Sequence, residues 1–448
     1  MNPYTSSSSG ELFSRRQLTA LIWPLITEQL LTVLVGMADV LMISFAGKEA
    51  ISGVSLVDSM NYLVIQVLYA MTAGGTVVCA RYIGEGRPEK AGRSGAQLIL
   101  ITLTGALCIT AGFFIGNRHI LSFLFGRVET SVIDNASLYL QITCLSFPFL
   151  ALYNSGAAVF RAAGNTKIAV QVSLYMNLIN VSGNALCILL LHMGVMGVAI
   201  PTLISRIFAA VWMLHRLQQK DHALRVPSLS SLRPQTPVIK AILSIGLPNG
   251  AESCFFQLGK LLIQSLVSTL GTASIAAFAV ACNLATWLYL PGNALGAAMI
   301  TIVAQCCGAG ERKQARNYAR RLLRLNYIIL FFICIYMIAF RGFLVSCYHL
   351  SGESAALAEG LIFIHSVAMV IWPLGFLFPY YFRASGRPAF TMAVAIFAMW
   401  TFRIGLAWVY IRLLHMNVLG VWYAMFADWI FRAAVYILAF RREAGTLK

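Results

Sequence analysis

Charge is scarce in this 448-residue chain: Asp, Glu, Lys and Arg make up 11% of it, against roughly a quarter of an ordinary soluble domain. With 59% hydrophobic residues, composition argues against a water-soluble fold. Acid is scarcer than base, 16 Asp plus Glu against 33 Lys plus Arg, for a net charge of +17. In a soluble protein that excess would point to nucleic acid; here the charge must first be located along the chain. Cysteine pairs at metal-binding or redox spacing are lacking. The ten cysteines lie mostly inside apolar runs, with Cys306 and Cys307 merely adjacent, and read as small apolar filler. There is no Gly-rich phosphate loop ending in Lys and Ser or Thr, which argues against nucleotide-driven work. Nor is there a His-Glu-x-x-His motif: His119, His192, His349, His365 and His415 share no ligand spacing, which counts against an intramembrane hydrolase. The opening MNPYTSSSSGELFSRR is polar, with no short apolar core before a small-residue cleavage site. It reads as a cytosolic tail and not as a secretory signal.

Apolar runs of about 20 residues, the length that crosses a bilayer, recur throughout. Twelve spans are expected, near 17–43, 50–79, 94–116, 133–160, 168–191, 195–217, 239–270, 273–304, 319–340, 358–382, 389–413 and 418–440. Continuous apolar runs, without ten-residue alternation, specify helices and not barrel strands. The fold class is therefore an all-α polytopic membrane protein.

Basic residues stay on the cytosolic side during insertion. Of the 33, 24 fall at the N-terminus, the C-terminus and the loops on their side, counting those at span ends, and five fall on the opposite side. Arg206, Lys260, Arg403 and Arg432 remain within spans. Both termini are expected in the cytosol, and the net charge becomes an orientation signal with no nucleic-acid partner implied.

The chain also repeats itself. At an offset of 224, Pro24 pairs with Pro248, Glu28 with Glu252, Gly47 with Gly271, Ile51 with Ile275, Gly84 with Gly308, Gly86 with Gly310 and Ala91 with Ala315. Further on, FRAAG from Phe160 echoes FRASG from Phe382, and Leu191-His192-Met193 echoes Leu414-His415-Met416. Six spans per copy preserve orientation, so the expected architecture is two parallel six-helix lobes related by a pseudo-two-fold along the membrane normal. The expected division is an N-lobe over 1–217, a cytosolic linker over 218–238 and a C-lobe over 239–448, with a central cavity.

A Pro-bearing first helix ending in MADVLMISFAG, then GEGRPEKA, FRAAGNTK and GVAIPTLISR, echoed by GAGERKQA and FRASGRP, resembles the multidrug and toxic compound extrusion (MATE) family over nearly the whole chain. The resemblance implies a bacterial-type secondary antiporter that exports organic, often cationic and amphipathic compounds. It would run by alternating access in exchange for protons or sodium ions. It further implies a monomeric, multi-pass protein of the cytoplasmic (inner) membrane, with small organic molecules and lipid as partners and no cofactor besides the coupling ion. An alternative is a lipid-linked saccharide flippase of a related two-lobe bundle, but that would call for extra spans and a cationic cavity, and helix one carries no cation.

An ionisable side chain at bilayer depth costs roughly 2.5 kcal/mol or more, so each retained one is a functional candidate. Glu28 and Asp39 lie eleven residues apart, three helical turns, and share a face. Asn177, Asn180 and Asn184 repeat at spacings of three and four, and Thr202 follows Pro201, which together suggest one oxygen-rich face. By resemblance, Asp39, fifteen residues after the helix-one Pro24, is the coupling residue. Asp39, Asn180, Asn184 and Thr202 then match the positions that surround a cation, H+ or Na+, in the N-lobe of some members. Pro24 would be the bend of helix one. Asn184 stands where some members carry a second acid, Phe256 where some carry the helix-seven acid, and helix ten holds no acid beyond Glu359 at its start. Glu28, Asn177 and Glu252 are further candidates for cation or substrate contact. Asp428 and Arg432, four apart, are expected to form a structural ion pair, and Lys260 to snorkel. Aromatic and Met side chains such as Tyr62, Tyr69, Trp372, Met399 and Trp400 are available to line an adaptable pocket.

Overall fold

The computed structural model describes residues 11–43, 45, 48–126, 129–219, 226, 233–350 and 352–445. The first ten residues of the expected tail, Gly47 of the repeat and most of the expected linker lie outside them.

The first six expected spans are α1 (Arg15–Ile43), α2 (Lys48–Gly84), α3 (Pro88–Phe125), α4 (Thr130–Leu145) with α5 (Phe147–Ala162), α6 (Thr166–Ala185) and α7 (Met196–Gln218). The next two are α8 (Thr236–Ser268) and α9 (Thr272–Gly308). The ninth is α10 (Arg312–Ala339), followed by the short α11 (Arg341–Ser346). The tenth is made of α12 (Gly352–Ala368), α13 (Trp372–Phe376) and α14 (Phe378–Ala384). The last two are α15 (Pro388–Ala398) continuing into α16 (Leu406–Arg412), and α17 (Leu419–Gly445).

Among the described residues, nine helices are long and apolar enough to cross a membrane, or eleven if each of two bent pairs counts as one span. Twelve are expected from the sequence, and α8 makes the difference. It is 33 residues long, but Lys240, Glu252 and Lys260 interrupt its apolar sequence. Both bends have prolines beside them. The α4/α5 pair turns by 41° before Pro148, and α12 turns by 69° into a segment holding Pro373 and Pro379. A proline has no N–H to give the preceding turn, and its ring crowds the carbonyl four residues back. At Pro24 the helix instead runs on unbroken. The Thr166 hydroxyl donates to Leu21 O at 3.1 Å and Ala20 O at 3.4 Å, which satisfies the carbonyl that Pro24 leaves free.

Two compact units result, one of residues 1–250 with 308–310 and the other of 251–307 with 311–448. In the first, Val57, Leu121, Leu140 and Ala199 build one core, and Leu68, Phe147 and Ala151 a second. In the other, Leu284, Leu288, Leu361, Trp422 and Trp429 dominate. The repeat extends to backbone conformation. Gly86 and Gly310 both have positive φ, 71° and 77°, and His192 and His415 share the rarer positive φ of 51° and 49°. The paired glycines are the residues that take this left-handed conformation without a Cβ clash.

Candidate functional site

Four of the expected residues meet in one hydrogen-bonded chain. Asn184 Nδ2 donates to Asp39 Oδ1 at 2.8 Å and lies 3.4 Å from Asn180 Oδ1, while Asn180 Nδ2 donates to Thr202 Oγ1 at 3.0 Å. The Thr202 hydroxyl passes its own proton to Val198 O at 2.8 Å. The carboxylate thus comes from α1, the amides from α6 and the hydroxyl from α7. Close helix approach makes this possible: a Cβ on Gly183 would lie 2.7 Å from the Pro201 ring, so only glycine lets α6 and α7 meet at that depth. Asn184 is fully buried, and its Oδ1 has no hydrogen-bond partner. An unpaired carbonyl oxygen beside a carboxylate suits either a bound proton's network or a hard cation, which takes oxygen ligands. Immediately after Asn184 the helix loosens into a π-helical turn, Leu186–Leu190, a distortion often found at functional sites. Asn177 stands apart, with Ser173 Oγ 3.5 Å from its Nδ2.

Two further charged groups belong to this neighbourhood. Asp58 on α2 accepts a hydrogen bond from the Tyr139 hydroxyl at 3.0 Å, and it lies within electrostatic reach of Asp39. Arg206 on α7 donates to Ser146 Oγ at 2.6 Å and feels both Asp39 and Asp58. Arg206 is thus anchored within the first unit by Ser146, within electrostatic reach of both carboxylates. Asp58 also opens an accessible stripe of α2 composed of Ser55, Asp58, Ser59, Tyr62 and Tyr69. This stripe is polar where the accessible faces of the other spans are mostly apolar.

Glu28 and Glu252 are each held by an arginine. Glu28 pairs with Arg161 at 3.2 Å, and Glu252 pairs with Arg383 Nη2 at 2.7 Å, all four side chains 15% exposed or less. Since Glu28 corresponds to Glu252 and Arg161 to Arg383, one ion pair is built twice. A carboxylate neutralised by a guanidinium is a weak ligand for a cation, which moves the weight of the site onto Asp39.

In the second unit the expected Asp428–Arg432 pair forms at 2.6 Å, fully buried, with Arg432 also donating to Ala395 O at 2.9 Å. Arg403 joins at 4.0 Å from Asp428 Oδ2. It sits on a second π-helical turn, Met399–Gly405, and stacks over Phe256 at 5.6 Å. Lys260, one turn after Phe256, lies within electrostatic reach of Arg403. Phe256 therefore packs beneath a guanidinium, at the position where the resemblance puts an acid in some relatives. Of the aromatic and Met candidates, Tyr62, Tyr69 and Trp400 are accessible, while Trp372 and Met399 are buried and pack the core.

Residues 24–186 and 248–409 match the MatE family. The chain belongs to the MatE family. The two matched stretches start at the paired prolines Pro24 and Pro248, so the family unit is the repeat itself. This MatE chain is 25% identical over 435 residues to the probable multidrug resistance protein NorM of Thermotoga maritima, covering 95% of the chain and 92% of that protein. It is 23% identical to the uncharacterized transporter YisQ of Bacillus subtilis, over 92% of the chain and 91% of that protein. A crystal structure described as MATE in the bent conformation shares its fold with a TM-score of 0.90 at 18% identity, covering 97% and 96% of the two chains. The protein is a multi-pass membrane transporter.

Three charged residues of this MatE chain escape a reading of the sequence. Asp58 carries a signal in its polar neighbours at helical spacing. Arg161 and Arg383 sit at span ends and count there as cytosolic charges, although the echo of FRAAG with FRASG and of Glu28 with Glu252 marks them as partners.

Proposed function

We propose that this transporter exports organic, amphipathic compounds across the cytoplasmic membrane as a single chain, by alternating access, in exchange for a proton or a sodium ion taken at Asp39. The observation that carries the reading is the Asp39–Asn184–Asn180–Thr202 chain, which joins three helices through one carboxylate. Family membership and the names of the relatives, which include a probable multidrug resistance protein, support the substrate class.

The chemistry follows from the donor set. With Asp39 ionised, its carboxylate and Asn184 Oδ1 offer oxygen to a sodium ion, with the Thr202 hydroxyl at the far end of the chain; with Asp39 protonated, the site is neutral. Loading changes the charge that α1 presents to α6 and α7, and hence the packing of α1 against them. Arg206 limits the negative charge that Asp39 and Asp58 can accumulate together. The accessible α2 stripe with Asp58, Tyr62 and Tyr69 provides carboxylate and ring faces suited to an organic cation. Substrate and coupling ion then compete for one negative field, which is the basis of exchange.

Asp39→Asn preserves shape and removes the charge. In everted vesicles of cells expressing the protein, this variant should lose gradient-driven efflux of a cationic dye while membrane protein levels stay intact. Efflux at the unaltered rate would overturn the assignment.

A further inference from the structure

A cavity of about 360 Å³ lies between α10, α13, α14 and α17 of the second unit, lined by Arg316, Arg320, Leu374, Phe378, Ile437, Phe440 and Arg441. Its composition is divided: three guanidiniums and four apolar side chains, with no acid. Arg316 is buried, donates to Phe440 O at 2.9 Å and lies 4.6 Å over the Phe440 ring. Its Nε has no hydrogen-bond partner. Arg320 and Arg441 are accessible, and Arg320 also approaches the Phe440 ring, at 5.7 Å. Among the described residues, none of the three has a carboxylate within ion-pairing distance. Glu443, nearby on α17, is occupied by Arg387 at 3.1 Å and the Tyr381 hydroxyl at 3.0 Å.

The cavity sits where the apolar parts of α10 and α17 meet their cationic ends. Arg316 and Arg320 open α10 one turn apart, and Phe440 and Arg441 close the apolar run of α17. Three guanidiniums gathered without an acid repel one another unless an anion joins them. Guanidinium forks match phosphate oxygens, and basic pockets between membrane helices suit anionic headgroups. Leu374, Phe378 and Ile437 add an apolar wall that a free inorganic anion would not need.

We infer that this cavity is a binding site for an anionic phospholipid, its phosphate held by Arg316, Arg320 and Arg441 and the start of an acyl chain lying along Leu374, Phe378 and Ile437. The site is separate from the residues assigned to coupling, and the inference stands whether or not Asp39 couples transport.

The test uses full-length purified protein, stripped of lipid in detergent, with thermal unfolding followed by intrinsic tryptophan fluorescence. Phosphatidylglycerol should raise the midpoint, while phosphatidylcholine of the same chains and inorganic phosphate at equal concentration should not. The double variant Arg320→Gln/Arg441→Gln, altered only at accessible side chains, should unfold at the unliganded wild-type midpoint and show no response to phosphatidylglycerol. Native mass spectrometry of the wild type in an equimolar lipid mixture gives an independent reading, with a preference for phosphatidylglycerol of about ten-fold or more, as expected for several basic groups near one headgroup. An equal response to the two lipids, an undiminished response in the double variant, or full stabilisation by inorganic phosphate alone would overturn the inference.

Discussion

The two halves of this chain share a plan but differ in the sign of the charge they place inside it. Each half begins with a proline-bearing helix, and in each a glutamate one turn later is tied to an arginine from the fourth-span segment, Glu28 to Arg161 and Glu252 to Arg383. Beyond that shared pair the halves diverge. At the repeat offset of 224, Asp39 corresponds to Ile263 and Asp58 to Cys282, and the helix that answers α6 carries Arg403. The first half thus sets one arginine within electrostatic reach of two carboxylates, whereas the second sets Arg403 and Arg432 beside Asp428, with Lys260 within reach of Arg403. Duplication preserved what holds each bundle together, and the two copies then separated in the groups that can receive a cation. Each half has a π-helical turn on its fifth-span helix, Leu186–Leu190 and Met399–Gly405, at different positions along it; the first holds only apolar side chains and the second carries Arg403.

The shared ion pairs should give the largest effects on stability. Glu28→Gln and Glu252→Gln each strip a buried guanidinium of its carboxylate, a change that costs about 3–5 kcal/mol. Both variants should unfold well below the wild type in a detergent thermal scan, and replacing the paired arginine as well, as in Glu252→Gln/Arg383→Gln, should recover most of the loss. If only one half responds, the pairs are not equivalent.

Next in size are changes at the Asp39–Asn184–Asn180–Thr202 chain of the first half. Asn184→Ala removes the side chain that touches both Asp39 and Asn180, and loss of a group that orients a ligand costs roughly 10–100-fold. Dye efflux should fall by that order, with expression unchanged. Asn184→Asp points the other way: a second carboxylate at the site should strengthen sodium binding by about ten-fold, following the dependence of cation affinity on ligand charge, readable as sodium-dependent stabilisation.

The smallest effect belongs to Tyr139→Phe. Losing one hydrogen bond to Asp58 should cost about 1 kcal/mol, a modest drop in thermal midpoint. The second half has the buried core residue Leu361 near the corresponding place, with no hydroxyl to lose.

Much of this plan is legible in the amino-acid sequence. The echoes Pro24/Pro248 and Glu28/Glu252 expose the duplication because register is preserved over whole helices. The spacing of Asn180 and Asn184, taken with the family resemblance, places them with Asp39. Asp58 escapes notice because Val54, Val57 and Met60 around it keep α2 apolar on average; only the stripe of Ser55, Asp58, Ser59 and Tyr62 betrays an accessible face. Arg206 is ambiguous because a lone cation within a span looks the same in sequence whether its long side chain reaches for lipid headgroups or for a carboxylate on another helix. The π-helical turns carry no residue signature, since their hydrogen bonds shift by one residue without changing which side chains are used.

The central claim is that the driving cation is received in the first half alone. Its most direct test is dye transport in proteoliposomes under an imposed proton gradient and, separately, an imposed sodium gradient, for Asp39→Asn and for Glu252→Gln/Arg383→Gln. The account predicts no gradient-driven transport by Asp39→Asn under either ion, and at least half of the wild-type rate by the second-half variant under whichever ion drives the wild type. Coupled transport by Asp39→Asn, or its loss in a well-folded second-half variant, would contradict it.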